Sequence, residues 1–464
     1  MKLSVEKERI PIVAIIAIAL LTFLGVLTET SMNVAFPTLM HQFHVSLAAV
    51  QWLTTGYLLA NSILMLASAF FNKRFKARYL FFAAAFFFGV GDCICATATQ
   101  FPVLLFGRII QAGGVGFSGP LLTNLILATV PSHRLGTYLG FANLIILVGP
   151  ALGPSFGGLI VNVASWRLIF WSTLPLVIIL VVIGAPNIKQ YAKTAKYAFN
   201  WLQFSLLSTA LVSVMVVISL LAVPTQWLAS LLLFWVAVMS AGAFIVVAQK
   251  PTSKHFLNVN IFRQPIFLLS FIPYVFMQFS NLSMNFLLPN FVQIVGQASP
   301  FIGGLILLPG SIINGLGQPV YGWLLDQYGG KLPLYVGNTC FLLAATTLMI
   351  WIPTLSISLI LLVYLLFASG RSLAFSNTMT FSLKRLSPQV QADANAVYST
   401  GQQVMGAAGT NVTAVLMSSV HFNLSGVHTN LIIGSRIMLG LIVVIGIGNF
   451  LCYWKLFKLS GVKA

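Results

Sequence analysis

The chain has 464 residues, of which 58% are apolar and only 6% charged, too little charge to hydrate the surface of a water-soluble fold. Its formal net charge of +18 would suit a polyanion, but nucleic-acid binders gather Lys and Arg on one water-facing patch, whereas here they lie in short gaps between long apolar runs. Soluble and nucleic-acid-binding classes are thereby set aside, and the bilayer is the expected solvent.

The first segment, MKLSVEKERIPIV followed by apolar residues to about Met40, has the basic start of a secretory leader. Its apolar stretch is too long for one and no small-residue cleavage pattern follows, so it reads as a retained first span. Stretches near or above the roughly 20 apolar residues that cross a bilayer as helix then recur between Pro, Gly or basic gaps. Fourteen spans are expected. Six lie near 11–39, 49–71, 79–98, 102–130, 136–163 and 167–186. Two lie near 199–222 and 227–248, and six near 266–294, 300–325, 331–352, 355–381, 394–420 and 432–457. The four cysteines, Cys93, Cys95, Cys340 and Cys452, all fall inside apolar segments and read as packing residues rather than as a disulfide framework or metal site.

If the count is right, alternate loops should hold the basic residues. One set carries Lys2, Lys7 and Arg9; Lys73, Arg74, Lys76 and Arg78; Arg134; Lys189, Lys193 and Lys196; Lys250, Lys254 and Arg263; Lys331; Lys384 and Arg385; and Lys455, Lys458 and Lys463. The other set has only Arg167, with Arg436 at a span edge. Both termini are therefore expected in the cytoplasm, and topology accounts for the basic excess without a nucleic-acid partner. His41, His44, His421 and His428 fall in outward loops and read as solvated polar residues.

An internal repeat appears at an offset of about 252 residues. NVAFP at 33–37 matches NFLLP at 285–289, the basic turn around Lys73 matches LLDQYGGK around Asp326, and the Gly-rich stretch at 149–158 matches GQQVMGAAGT at 401–410. The repeat unit is six spans and the offset is longer than six require, so the two middle spans are an insertion. The expected architecture is an all-α polytopic membrane protein: a six-helix bundle over 1–190, two inserted transmembrane helices over 191–260, and a second six-helix bundle over 261–464.

In these motifs the chain resembles the major facilitator superfamily, and within it the fourteen-span drug/proton antiporter branch of the EmrB/QacA type. ETSMNVAFP (29–37) and QWLTTGYLLA (51–60) resemble that branch's first- and second-span signatures. GRIIQAGGVG (107–116) is similar to its fourth-span motif, LVGPALGPSFGG (147–158) to the fifth-span antiporter motif, and WRLIFWSTLP (166–175) to the stretch that follows. The superfamily's loop after the second span usually reads like G-x-L-x-D-R-x-G-R-K. Here Arg74 and Arg78 stand in FNKRFKARY, with Lys73 in place of the Asp and Lys76 in place of a Gly, while Asp326, Gly329 and Lys331 keep the pattern in the second half. The resemblance implies a bacterial inner or plasma membrane location, a small-molecule substrate, protons and lipids as partners, and the proton gradient rather than a cofactor or metal as the energy source.

Of the six acids, Glu6, Glu8, Asp326 and Asp393 lie at or near the cytoplasmic surface, and only Glu29 and Asp92 lie within spans. An intramembrane carboxylate is costly unless paired or facing water, and is a functional candidate for that reason. Residue counting places Glu29, Asp92 and Arg108 in the outer half of the membrane, Arg108 about 9 Å below the start of its span at 1.5 Å per residue. A carboxylate withdrawn from water holds its proton more firmly and a neighbouring cation opposes this, so such a cluster can load and release protons. Glu29 is the first choice as proton carrier and Asp92 the second, with Arg108 as charge partner. The competing reading makes Asp92 and Arg108 a structural ion pair and Glu29 a solvated cavity wall. Arg371, deep in its span with no acid in the same half at matching depth, reads as structural, its partners being backbone carbonyls or an anionic group.

Gly149, Pro150, Gly153, Pro154, Gly157 and Gly158 place small residues at helical spacing for close packing, and Pro permits a bend. The family pattern makes this stretch a hinge and proton seal. Candidates for a midplane substrate cavity are Asn33, Tyr57, Asn61, Gln111, Asn143, Tyr274, Gln278, Asn281, Asn285, Tyr398 and Gln402, each of which could equally be interhelical glue.

The expected function is drug/proton antiport: efflux of small lipophilic, often cationic compounds while protons enter. A dedicated exporter or flippase of one metabolite or lipid could use the same scaffold. A membrane-embedded transferase would need a catalytic constellation at a membrane face, which these acids do not supply, so an enzyme is not expected.

Overall fold

Within hydrocarbon the backbone has to satisfy its own N–H and C=O groups, and helices do so locally. The computed structural model describes residues 11–131, 135–190, 194, 198–221, 224–249, 256, 259–386, 388–419 and 427–459, and among them no β-strand occurs. Lys2, Glu6, Lys7, Glu8, Arg9, Arg134, Lys193, Lys196, Lys250, Lys254, His421 and Lys463 lie outside the described residues, as do the side chains of Asn143, Asp393 and His428. The helices of the first part are α1 (Ile12–Phe43), α2 (Leu47–Val50), α3 (Trp52–Leu66), α4 (Ser68–Arg74), α5 (Ala77–Thr97), α6 (Phe101–Thr129), α7 (Leu135–Val163) and α8 (Arg167–Asn187). Then come α9 (Trp201–Leu220) and α10 (Trp227–Gln249). The last part holds α11 (Pro265–Ile294), α12 (Pro300–Leu305), α13 (Leu308–Leu316), α14 (Gln318–Tyr328), α15 (Lys331–Trp351), α16 (Ile357–Leu383), α17 (Pro388–Ser419) and α18 (Val427–Leu459).

Among the described residues, eleven single helices are long and apolar enough to cross a membrane, and the run Pro300–Leu316 with Gln318–Tyr328, bent by 48°, makes a twelfth. The other two of the fourteen expected spans are helical but built differently. The stretch from α2 to α4 is interrupted at Gln51 and Ala67, so no piece reaches 18 residues. Helix α17 runs for 32 residues but carries Gln389, Gln391, Asn395, Gln402, Gln403 and Asn411. It packs against α11, α3, α18 and α9, so protein rather than lipid faces most of its sides and the polar content is tolerated.

Helix starts follow local chemistry. Ser46, Asn200, Ser299 and Ser356 accept hydrogen bonds from backbone N–H groups three residues on, which satisfies an otherwise orphaned donor. Helix α1 ends where His44 adopts a left-handed conformation and its N–H returns to the Met40 carbonyl.

The packing repeats between the two parts. Helix α1 lies along α7, α6 and α8, and α11 lies along α17, α18 and α16. A Cβ on Gly153 or Gly157 of α7 would strike α1 and one on Gly149 would press on it, and one on Gly401, Gly406 or Gly409 of α17 would strike α11. The matched Gly-rich stretches thus make matched contacts. Helix α9 packs on α17, where Ser219 Oγ donates to Asn411 Oδ1 (2.7 Å) and Asn411 Nδ2 donates to the Met215 carbonyl (2.7 Å). Helix α10 leans mainly on α9, and most of its side chains are exposed.

The two parts meet at one end. Let the near end be the one where α1 begins and α18 finishes. One apolar cluster joins the far ends of both parts, including Met32, Phe36 and Leu53 with Phe286, Leu287 and Ala414. Toward the near end the buried clusters separate, one drawn from the first part alone and two from the last alone. Polar contacts between the parts follow the same distribution: Gln293 Nε2 donates to the Val34 carbonyl (3.2 Å), Gln51 Nε2 to Thr410 Oγ1 (3.4 Å), and the Thr55 and Thr410 hydroxyls lie 3.1 Å apart. Gly158 and Gly304 let the two backbones come close, since a Cβ on either would strike the Pro300 or the Pro154 carbonyl respectively.

Candidate functional site

Helices α1, α3, α5, α6 and α8 bring a group of polar side chains together inside the first part. Glu29 and Thr28 come from α1, Tyr57 from α3, Asp92 from α5, Arg108 and Gln111 from α6, and Thr173 from α8. Gly91 permits the approach of α5 to α6, because a Cβ there would meet the Gln111 backbone at 2.6 Å. Asp92, Arg108 and Gln111 are fully buried.

Asp92 and Arg108 do not form a direct ion pair; among the described residues the one salt bridge is Lys384–Asp326. Gln111 stands between them instead. Arg108 Nη1 donates to Gln111 Oε1, and Gln111 Nε2 donates to Asp92 Oδ1. The amide is thus aligned with its oxygen toward the cation and its nitrogen toward the carboxylate. Thr173 Oγ1 donates to the second oxygen, Asp92 Oδ2, at 2.7 Å. Arg108 Nε donates to the Leu53 carbonyl (3.3 Å), and its guanidinium carbon lies 4.3 Å from the centroid of the Tyr57 ring, a cation–π contact. The Tyr57 hydroxyl in turn donates to the Gly25 carbonyl (3.1 Å).

Glu29 is held differently. Among the described residues it makes no side-chain hydrogen bond, it retains 8% exposure, and the charge of Arg108 reaches it. Its neighbours on α1 are all engaged. Thr28 Oγ1 lies 3.5 Å from Gln111 Nε2, Thr30 Oγ1 donates to the Gly149 carbonyl (3.4 Å), and Ser31 Oγ donates to the Gly153 carbonyl (2.8 Å). Residues 28 to 31 therefore join the buried network on α6 to the α7 seam, with the unpaired carboxylate between them. The three residues named from the sequence for proton chemistry are brought together, and the two acids differ: Asp92 is sealed and doubly hydrogen bonded, Glu29 is not.

The cavity candidates separate into three groups. Gln111 and Tyr57 belong to the charge network rather than to an open cavity, and sequence depth alone did not show this. Asn33 accepts from Thr54 Oγ1 (2.8 Å) within the first part, and Asn61 is fully buried with neither side-chain atom paired among the described residues. In the last part, the Tyr274 hydroxyl donates to Gln402 Oε1 (2.7 Å), and the hydroxyl of Tyr364 donates to Asn285 Oδ1 (3.1 Å). Tyr398 packs edge-on to Tyr274, Gln278 is buried and Asn281 half-buried. Thr28, Thr173 and Tyr364 were not singled out from the sequence. Gln111 follows Arg108 by three residues, the spacing that puts two side chains on one helix face, and that signal was available.

The loop motif lies at the near end. Asp326 accepts from Lys384 Nζ (2.7 Å), Gly329 has φ +68°, and a Cβ on Gly330 would strike the Phe381 ring. Both members of the ion pair are more than half exposed, so the pair contributes little to stability. Lys331 begins α15, Arg74 closes α4 and is exposed, and Arg78 lies over the Phe82 ring.

Comparison with known proteins agrees with this construction. The family model described as Major Facilitator Superfamily matches residues 18–410. The chain is 34% identical to "Lincomycin resistance protein LmrB" of Listeria monocytogenes, covering 88% of this chain and 87% of that protein. It is 32% identical to the protein of the same name from Bacillus subtilis, covering 90% and 87%. The fold overlays that of a D-xylose-proton symporter with a TM-score of 0.70 at 15% identity, covering 95% of this chain and 98% of that one. A polytopic helical chain with a repeated packing scheme, a buried intramembrane charge network and matches over most of its length is a transporter rather than an enzyme, and it belongs to the Major Facilitator Superfamily.

Proposed function

We propose that the protein is a proton-coupled exporter of small lipophilic, often cationic compounds, working by alternating access as a drug/proton antiporter in the cell membrane with both termini in the cytoplasm. The observation that carries the reading is the contrast between two acids in one membrane-embedded cluster. Asp92 is fixed through both oxygens, whereas Glu29 is unpaired, retains access and lies within the field of Arg108. A group that exchanges protons has to reach solvent in at least one state, and the residual exposure of Glu29, against none for Asp92, favours Glu29 for that role.

On this reading the near end is cytoplasmic and the structure is the inward-facing state. A substrate enters from the near end, the two parts rock about the joined far ends, and Glu29 takes a proton from outside as the substrate leaves. Return to the inward state releases the proton to the cytoplasm. The bundles over 1–190 and 261–464 are the moving bodies, and the inserted helices over 191–260 ride on α17. The relatives named for lincomycin resistance support a drug as the exported compound.

The test is efflux in everted vesicles with and without an imposed proton gradient, using lincomycin and a lipophilic cation as substrates. Accumulation of either against its gradient, abolished by collapsing the proton gradient, is the expected result. Equal accumulation after collapse would reject the coupling.

A further inference from the structure

The last part of the chain contains a cation that no acid balances. Arg371, near the middle of α16, is 6% exposed. Its electrostatic neighbours are Tyr364, Tyr274 and Tyr321, and among the described residues no carboxylate pairs with it. A guanidinium carries five N–H donors. Here Nη2 donates to Ser372 Oγ (3.0 Å), and Nε is buried with no acceptor. Its carbon lies 5.0 Å from the Phe375 ring, which stacks on Tyr274 at 4.1 Å. A buried cation without a counter-charge is costly, and a planar fork with spare donors is shaped for an oxyanion.

The surrounding side chains also offer donors. The Tyr274 and Tyr364 hydroxyls spend their protons on the side-chain oxygens of Gln402 and Asn285. Those bonds leave the amide nitrogens of Gln402 and Asn285 as donors, and neither makes a hydrogen bond among the described residues. Phe375 and Gln402 are half-buried, so solvent reaches the edge of the group. The contrast with Arg108 is instructive, because that cation is matched by Asp92 through Gln111 and reaches Glu29.

We infer that Arg371, with the amide of Gln402 and the ring of Phe375, forms an oxyanion-binding subsite, which takes a carboxylate or similar group carried on an aromatic or apolar body. The inference rests on the transporter reading and adds to its cationic and neutral substrates a class with an anionic or strongly electron-rich end, bound in the last part rather than at Glu29. Proton coupling is not required for it.

The test uses purified full-length protein in phosphatidylcholine nanodiscs and two fluorescent probes of nearly equal shape, dansylglycine and dansylglycinamide. Anisotropy titrations should show dansylglycine bound at least about tenfold more tightly, the scale of one charge-assisted hydrogen bond. Arg371→Gln should remove that preference while leaving dansylglycinamide affinity unchanged, and Arg371→Lys, which keeps the charge without the fork, should retain part of it. Equal affinities in the native protein, no binding of either probe, or a preference that survives in Arg371→Gln would overturn the subsite. Repeating the titration with phosphatidylglycerol added separates two sources of the oxyanion: Arg371-dependent competition assigns the site to a lipid headgroup, and undiminished binding assigns it to a soluble ligand. Loss of gradient-driven efflux with an intact anion preference would sink the coupling proposal alone.

Discussion

The hydroxyl of Ser31 donates to the carbonyl of Gly153 at 2.8 Å, two residues along α1 from the carboxylate of Glu29. The bond ties the helix bearing the free acid to the Pro- and Gly-rich helix α7. Glu29 therefore sits beside the packed seam between α1 and α7.

Gly157→Ala should damage that seam. The added methyl would lie 2.8 Å from Ser31 Cα, and backbone cannot yield as a flexible side chain can. A loss of about 1–3 kcal/mol of stability is expected, together with lower efflux. Gly140→Ala on the same helix meets open space and should be neutral or slightly stabilising. Thermal unfolding of both variants in detergent checks the pair, and equal midpoints would remove the packing argument.

Gln111→Leu should be the most destabilising single change in the charge network. It strands Asp92 Oδ1 and Arg108 Nη1 in a fully buried site, a cost of about 3–5 kcal/mol by analogy with breaking a buried pair. Gln111→Glu gives Arg108 a direct partner but sets two carboxylates against each other, so it should express and yet lose transport. A Gln111→Leu protein that unfolds at the native temperature would show that the amide does not bridge the two charges.

Glu29→Gln should leave folding and membrane level unchanged, because Glu29 makes no side-chain hydrogen bond among the described residues. Gradient-driven efflux of an uncharged substrate should vanish, since an amide cannot exchange a proton in this range. Continued pumping by the variant would move the proton role to Asp92 or eliminate it.

A permanent cation and a proton should compete at Glu29. Lowering the pH protonates the carboxylate and withdraws the cation's counter-charge, so the affinity of a quaternary ammonium dye should fall as pH falls, while a neutral substrate loses little. Linkage requires the bound dye to make Glu29 harder to protonate by the same coupling free energy. Titrations of both ligands from acid to neutral pH, repeated in Glu29→Gln and Asp92→Asn, check this. Parallel curves for dye and neutral ligand would show that the acids do not face the cation.

Reporters fused after Lys196 and after Lys463 should both read cytoplasmic, because both positions fall in the basic set of loops. An external signal at either would break the fourteen-span topology.

Most of the fold was legible because lipid demands long apolar runs and the loops carry charge on alternate sides. The second and thirteenth stretches read as spans are helical in the structure, but neither is among the helices long and apolar enough to cross a membrane. Their lipid-facing surface is small, so α17 can hold Gln402 and Asn411, and the stretch through α3 can break at Gln51 and Ala67. Depth gave the cluster of Glu29, Asp92 and Arg108, since counting residues along a helix measures height. It did not give direction around the axis, which is why Gln111 was grouped with the cavity and Thr173 was missed. Unlike Gln111, Thr173 has no charged neighbour at helical spacing to mark it.

The apolar cluster that joins the far ends of the two parts sets a limit on the alternating-access cycle proposed above. A joint made of Phe36, Phe286 and their neighbours has to come apart for the far side to open, and the aromatic and aliphatic surface it exposes costs on the order of 25 cal/mol for each Å². A two-position switch works only if its positions differ by a few kcal/mol. On the alternating-access reading proposed above, the near-end surfaces, which share no buried cluster among the described residues, have to form a latch of nearly equal strength when they meet. A substitution that strengthens the far joint would jam the protein as surely as one that weakens it would leave it ajar.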